Sequence, residues 1–197
     1  MILLSVENWP VLVICLGMIA AAVIDWWKFK VPNYLTFPLI LSGWVLGLWN
    51  GIVPTEWAAG EGGIGAALAG TLLGFLLLLP IYSIGGMGAG DVKMTMGFGS
   101  WIGAFYGAQE GLWIIVYAFA AGAVVGGVIA LVMIACRGRY KDNVQHVREI
   151  VADLMKVSAI TEASAKANAR RPRWHRLPYG VPLCIGFLGY LLYVYGL

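Results

Sequence analysis

The chain has 197 residues and a net charge of +3, with 60% hydrophobic and only 12% charged residues, and its mean hydropathy is +0.82. This composition excludes a soluble domain, because apolar segments of about 20 residues, the length that a helix needs to cross a bilayer, recur from end to end. Three scattered cysteines without a CxxC pair and two distant histidines speak against a metal site or a disulfide framework. We therefore expect a membrane protein with no metal, no cofactor and no nucleic-acid partner.

The apolar segments predict six transmembrane helices in one membrane-embedded domain, 1–197. Their expected ranges are about 10–27, 34–49, 64–84, 92–106, 112–136 and 177–195. A connection containing Gln109 and Glu110 is expected between the fourth and fifth helices. A basic insert, 137–176, precedes the last helix, and apolar residues at helical spacing predict an amphipathic helix at about 143–167 within it. The predicted fold class is thus an all-α bundle of six transmembrane helices with a cytoplasmic amphipathic segment between helices five and six.

Glycines at small-xxx-small spacing recur in these helices. Such residues let helix backbones approach closely in lipid, where there is little hydrophobic force between helices. The sets are Gly43/Gly47, Gly70/Gly74, Gly99/Gly103/Gly107 and Gly122/Gly126.

The basic residues predict the orientation. Lys28 and Lys30 follow the first helix, Lys93 follows the third, and the other ten of the thirteen Lys and Arg residues lie in 137–176. Cytoplasmic loops accumulate Lys and Arg. We therefore expect a multi-pass protein of the cytoplasmic membrane with both termini on the non-cytoplasmic side, and contacts between the basic residues and anionic headgroups.

Two aspartates stand out against this topology. Asp25 is expected in the last turn of the first helix, and Asp91 follows a glycine-rich turn at the start of the fourth, so both are predicted at the cytoplasmic face. Placing a carboxylate at the centre of a transmembrane helix costs about 2.5 to 3.5 kcal/mol. A carboxylate in or beside such a helix is therefore predicted to serve a function. Two carboxylates brought close can share one proton and hydrolyse a peptide bond without a metal.

The turn beside Asp91 has its own predicted role. Gly88 and Gly90 carry no side chain and leave room for an extended substrate backbone, and Lys93 is a candidate contact for the substrate or for headgroups. A structural interpretation stays open for each aspartate. Asp25 is three residues from Lys28, a common helical pairing, and acids such as Asp91 are favoured at helix N-termini anyway.

The combination of motifs resembles one known family. Residues 88–93, GAGDVK, resemble the GxGDxK signature of the type IV prepilin peptidases, membrane aspartic proteases that also include the archaeal preflagellin peptidases. Asp25, followed by two lysines and by VPN at 31–33, resembles the first aspartate of that family with its basic residues and hydrophobic-Pro-Asn ending. The resemblance is clearest over about 18–101.

The resemblance implies that Asp25 and Asp91 are the catalytic pair of an endopeptidase that removes a short basic leader from prepilin-like or pseudopilin substrates at the cytoplasmic face. The chain lacks the paired cysteines of the larger bacterial members, and so resembles the short, peptidase-only form of tight-adherence (Flp) pilus systems, without N-methyltransferase activity. Two other classes remain open from the residues: a proton-coupled transporter, and a non-catalytic subunit of a secretion or pilus assembly machine.

Overall fold

The computed structural model describes residues 9–28, 30–53, 58–83, 87–137 and 179–195. Within these ranges the regular structure is all helical, as predicted. The helices are α1 (Trp9–Lys28), α2 (Asn33–Ile52), α3 (Ile64–Ser83), α4 (Ala89–Arg137) and α5 (Gly180–Tyr195). The predicted amphipathic helix at about 143–167 and nearly all of the basic insert lie outside the described residues.

Four of these helices are long and apolar enough to cross a membrane. They are α1, α2, α3 and the Ala89–Met133 stretch of α4, while α5 is a shorter apolar helix. Proline marks two of the helix starts: Pro10 lies in the first turn of α1, and Pro32, in an extended conformation, caps α2. Proline suits these places because the first helical N–H groups have no partner within the helix.

Helix α4 reverses direction at Gly107. A straight helix of 45 residues would be about 67 Å long, more than twice the roughly 30 Å of a hydrocarbon core. Gly107 instead has φ +79° and ψ 179°, a conformation that glycine adopts readily. A Cβ at Gly111 would lie only 3.0 Å from the carbonyl oxygen of Ile102, so the second half of α4 (108–137) turns back along the first half (89–106).

The break predicted between 106 and 112 is present, at Gly107, but the prediction that Gln109 and Glu110 lie in a connection outside the helices is wrong. Both residues are helical, and the reversal needs a single glycine rather than a loop. The polar character of these two residues, which suggested a loop, reflects their exposure at the end of a helical hairpin.

The first half of α4 forms the centre of the bundle. It packs against α3 through glycines on both helices, since a Cβ at Gly70 would overlap the carbonyl oxygen of Gly99 and a Cβ at Gly103 would overlap that of Ala66. Helix α5 reaches the same centre, where Phe98 stacks on a phenylalanine of α5, Phe187, at 4.3 Å between ring centroids. These contacts confirm the close helix packing predicted from the glycine spacing, except that Gly107 serves the turn.

The packing gives the bundle two chemically different ends. Asp25, at the end of α1, lies near the start of α5 and near Asp91 at the start of α4. Gly107 and two glutamates, Glu61 and Glu110, lie at the other end, about 24 Å along the first half of α4 at a rise of about 1.5 Å per residue.

Candidate functional site

Asp25 is a buried carboxylate held by a residue far away in sequence. It lies in the last turn of α1 with only 4% of its surface exposed. Its Oδ2 accepts a hydrogen bond of 3.0 Å from the backbone N–H of Gly180, 155 residues further along the chain. Gly180 begins α5, so this N–H is one of those that a helix leaves without an internal partner. A partner at a helix N-terminus and near-complete burial distinguish Asp25 from a solvated interfacial carboxylate.

Asp91 is held by its own helix start. It is the third residue of α4, and its Oδ2 accepts a 3.2 Å hydrogen bond from the N–H of Gly88, immediately before the helix. A side chain that reaches back from the third helical residue to the N-cap N–H is one half of a capping box. The structural interpretation of Asp91 thus accounts for one of its two oxygens. The other, Oδ1, is buried and accepts no hydrogen bond within the part of the chain that the structure describes.

The two carboxylates come together although 65 residues separate them in the sequence. Asp25 and Asp91 are close enough for their charges to interact, and Asp91 is only 5% exposed. Tyr179 completes the group: burial, and then the charge of Asp91, raise the pKa of its phenol above the ordinary value. Two buried carboxylates in electrostatic contact titrate as a unit and can hold one proton between them.

The glycine at position 90 serves a contact within the chain. A Cβ there would lie 2.9 Å from the Cβ of Val31, 3.1 Å from its carbonyl oxygen and 3.2 Å from its nitrogen. Val31 is itself buried, at 3% exposure, and precedes a proline, which restricts it to extended conformations. The loop after α1 therefore lies directly against the start of α4, and the space beside Gly90 is occupied by Val31.

Lys93 also has partners within the chain. Its Nζ donates a 2.9 Å hydrogen bond to the Oδ1 of Asn33, the first residue of α2. The same Nζ lies 4.6 Å from the ring centroid of Phe37, one turn further along α2. Lys93 thus ties the start of α2 to the start of α4, two residues after Asp91.

Gly180 and Tyr179 were not predicted from the sequence as members of this site. The sequence assigned residues 177–180, LPYG, only to the start of the predicted last helix, about 177–195. A Pro-Tyr-Gly sequence directly before an apolar helix is a usable signal, since proline and glycine mark helix boundaries. Nothing local, however, indicates that this boundary lies over Asp25.

A cavity of about 730 Å³ lies at the end of the bundle opposite the aspartates, lined by both glutamates of that end and by several aromatic side chains; the aspartate pair does not line it. Among the residues that the structure describes, no group of three or more His, Cys, Asp or Glu side chains is placed to hold a metal ion.

Comparison with known proteins places this chain in a family. The model of the type IV leader peptidase family matches residues 12–131, more than half of the chain. Among curated proteins, the chain is similar to the prepilin leader peptidase/N-methyltransferase of Aeromonas salmonicida (strain A449), with 32% identity over 44% of this chain and 29% of the relative. It is similar to the protein of the same name in Burkholderia pseudomallei (strain 1026b), with 29% identity over 57% of this chain and 35% of the relative.

The matched region therefore spans about a third of the length of these curated relatives. No solved structure matches the chain significantly. The family match includes both aspartates, the loop after α1 and the glycine-rich turn, and it ends before α5. On the strength of this match, the chain belongs to the type IV leader peptidase family.

Proposed function

We propose that the chain is a membrane aspartic endopeptidase that removes the short basic leader from prepilin-like substrates, with Asp25 and Asp91 as its catalytic pair. The observation that carries this proposal is the convergence of two buried carboxylates from remote parts of the chain, each anchored through one oxygen to a backbone N–H. Family membership supports the peptidase class, and the names of the relatives indicate the kind of substrate.

The pair would act by general acid–base catalysis. One carboxylate takes a proton from a water molecule, which attacks the carbonyl carbon of the scissile peptide bond. The protonated partner stabilises the developing oxyanion and later gives its proton to the leaving amine, which restores the shared proton. Asp91 Oδ1, buried and without a partner in the described residues, is the oxygen that we assign to the water or the oxyanion.

We propose six membrane crossings for this peptidase. They are α1, α2, α3, the two halves of α4 and α5. The reversal at Gly107 supports the count, because it divides a helix that is too long for one crossing. With Lys and Arg concentrated at the aspartate end and in the insert, the positive-inside rule puts both termini on the non-cytoplasmic side and the aspartates at the cytoplasmic face of the inner membrane.

We propose that Gly88, Gly90 and Lys93, which flank Asp91 in the sequence, contact the substrate. Gly88 and Lys93 lie beside Asp91 and reach the end of the bundle at which a basic leader would arrive. The Val31 contact of Gly90 and the Asn33 contact of Lys93 support positioning roles for these two residues in addition to the predicted contacts with substrate. The basic insert would hold the protein against anionic headgroups.

The proposal is limited to leader cleavage. The relatives are named as N-methyltransferases too, but the three cysteines of this chain form no CxxC pair. Mass measurement of the product formed in the presence of a methyl donor tests this limit, because an added methyl group would contradict it. The transporter and assembly-subunit alternatives are not favoured by the family membership.

A cleavage assay tests the catalytic pair. The purified full chain, in detergent or vesicles, is incubated with a peptide that carries a basic leader followed by a hydrophobic helix, and the product is identified by mass. We expect Asp25→Asn and Asp91→Asn each to lower the rate by about 10²- to 10⁴-fold, the usual contribution of acid–base groups. Glu110→Gln, the same chemical change at the opposite end, should leave the rate unchanged. Wild-type rates in either aspartate variant would refute the catalytic pair.

A further inference from the structure

The start of α5 lies so close to Asp25 that a side chain at position 180 would force the carboxylate to shift. A Cβ at position 180 would lie 2.9 Å from Asp25 Oδ2, 3.2 Å from its Cβ and 3.3 Å from its Cγ. Gly180 has no Cβ, and its N–H reaches Oδ2 at 3.0 Å. The hydrogen bond and the missing side chain therefore serve the same contact.

The physical chemistry of a helix start favours an anionic acceptor. The first N–H groups of a helix lack internal partners, and the helix dipole adds partial positive charge there. A buried carboxylate that accepts such an N–H is stabilised and also fixed in orientation, because a hydrogen bond to a charged group is short and directional. Tyr179, the residue before Gly180, is near enough to Asp91 for the charge of that carboxylate to act on its phenol, so the start of α5 is linked to both aspartates.

The two aspartates differ in what positions them. Asp91 is held by Gly88, three residues away in its own helix start, so local structure suffices to orient it. Asp25 is held across 155 residues, so its orientation depends on the docking of α5. Helix α5 lies outside the residues 12–131 that match the family, and the match assigns it no role.

We propose that Gly180 is a positioning residue for Asp25: its N–H fixes Oδ2, and its lack of a side chain lets α5 approach closely enough to do so. This inference rests on the proposed function of Asp25 as one of the catalytic pair. In this arrangement α5 completes the active centre, and correct docking of the last helix is required for the chemical step rather than for binding of the substrate.

A purely structural role makes a different prediction. If Asp25 served only to cap α5, disturbing the contact would lower stability and leave the turnover of the folded fraction unchanged. If Gly180 positions Asp25, the turnover number falls while the KM for the peptide stays near its wild-type value, since the substrate contacts are untouched. The split between kcat and KM in folded protein therefore separates the two roles.

The experiment uses the full chain and the leader-peptide assay. Gly180→Ala adds one methyl group against Asp25, and Gly189→Ala makes the same change on the same helix where nothing lies within 4 Å. We expect Gly180→Ala to lower kcat about 10- to 100-fold, the scale of a misplacement of about 1 Å, with KM within about twofold of wild type and a melting temperature like that of Gly189→Ala. Wild-type kcat in Gly180→Ala would overturn the proposal.

A second variant keeps the proposal falsifiable if Gly180→Ala does not fold. Replacing the backbone amide at position 180 by an ester removes the N–H and adds no atom. We expect kcat to fall about 10-fold or more, as for loss of a hydrogen bond to a charged group, and an ester variant with wild-type kcat would also overturn the proposal. Asp25→Asn distinguishes a failure of the positioning role of Gly180 from a failure of the proposed peptidase activity. If that variant is inactive and the position-180 variants are fully active, the positioning role fails and the peptidase stands; if it is active, the peptidase proposal itself fails.

Discussion

Gly90 lies directly against Val31, with less than a side chain's width between the start of α4 and the loop after α1. Because Gly90 immediately precedes Asp91 and Val31 follows Asp25 by six residues, this contact joins the two chain segments that carry the aspartates. Packing against Val31 is therefore sufficient to explain a glycine at position 90, whether or not the substrate also contacts it.

We expect Gly90→Ala to impair cleavage by separating these segments. The added Cβ would lie 2.9 Å from the Cβ of Val31, and overpacking of this kind costs about 1 to 3 kcal/mol. The leader-peptide assay should show at least about a 10-fold lower rate. Gly127→Ala, in the second half of α4 where nothing lies within 4 Å, is the control. Equal activity of the two variants would argue against the contact.

Gly103→Ala should act on the stability of the bundle rather than on the site. Its Cβ would overlap the backbone carbonyl of Ala66 in α3, so the two helices must separate. We expect the free energy of unfolding to fall by about 1 to 3 kcal/mol, measured by denaturation in detergent. The effect of Gly127→Ala should stay within about 0.5 kcal/mol, and a similarly small effect of Gly103→Ala would contradict the close packing of α3 and α4.

Lys93→Met tests the link between α2 and α4. The variant loses the hydrogen bond to Asn33 and the cation–π contact with Phe37, and we expect a loss of stability of about 0.5 to 1.5 kcal/mol. Removing Asn33 as well should cost less than the sum of the single changes, which a double-mutant cycle measures. Lys30→Met, at an exposed position of the same end, is the control. Unchanged stability with a raised KM would instead favour a direct contact of Lys93 with the substrate.

The ionisation of Tyr179 should report the charge of Asp91. Burial and that charge both raise the pKa of the phenol, because each disfavours the phenolate. Asp91→Asn removes the charge but not the burial, so the pKa of Tyr179 should fall toward the ordinary value without reaching it. The difference in phenolate absorbance between proteins with and without Tyr179→Phe, titrated in both backgrounds, isolates this tyrosine. An unchanged pKa would mean that Asp91 and Tyr179 are further apart than the structure has them.

Much of the fold follows from local patterns. The bounds of α1, α2 and α3 were predictable to within three residues, because long apolar runs have few alternatives in a membrane. The reversal of α4 at Gly107 lies within the connection predicted between 106 and 112, but Gln109 and Glu110, which resemble a loop in composition, are helical. A single positive-φ glycine made the turn instead, and among the many glycines of the chain nothing local distinguishes Gly107.

The sequence by itself determined which residues are chemically capable of the proposed reaction. Acids are rare in the apolar helices, so Asp25 and Asp91 stand out in the sequence. Only the tertiary structure decided how those acids are held. The N–H of Gly180 reaches Asp25 across 155 residues, and Val31 fills the space beside Gly90. Such contacts depend on how the described helices dock, which no local spacing encodes.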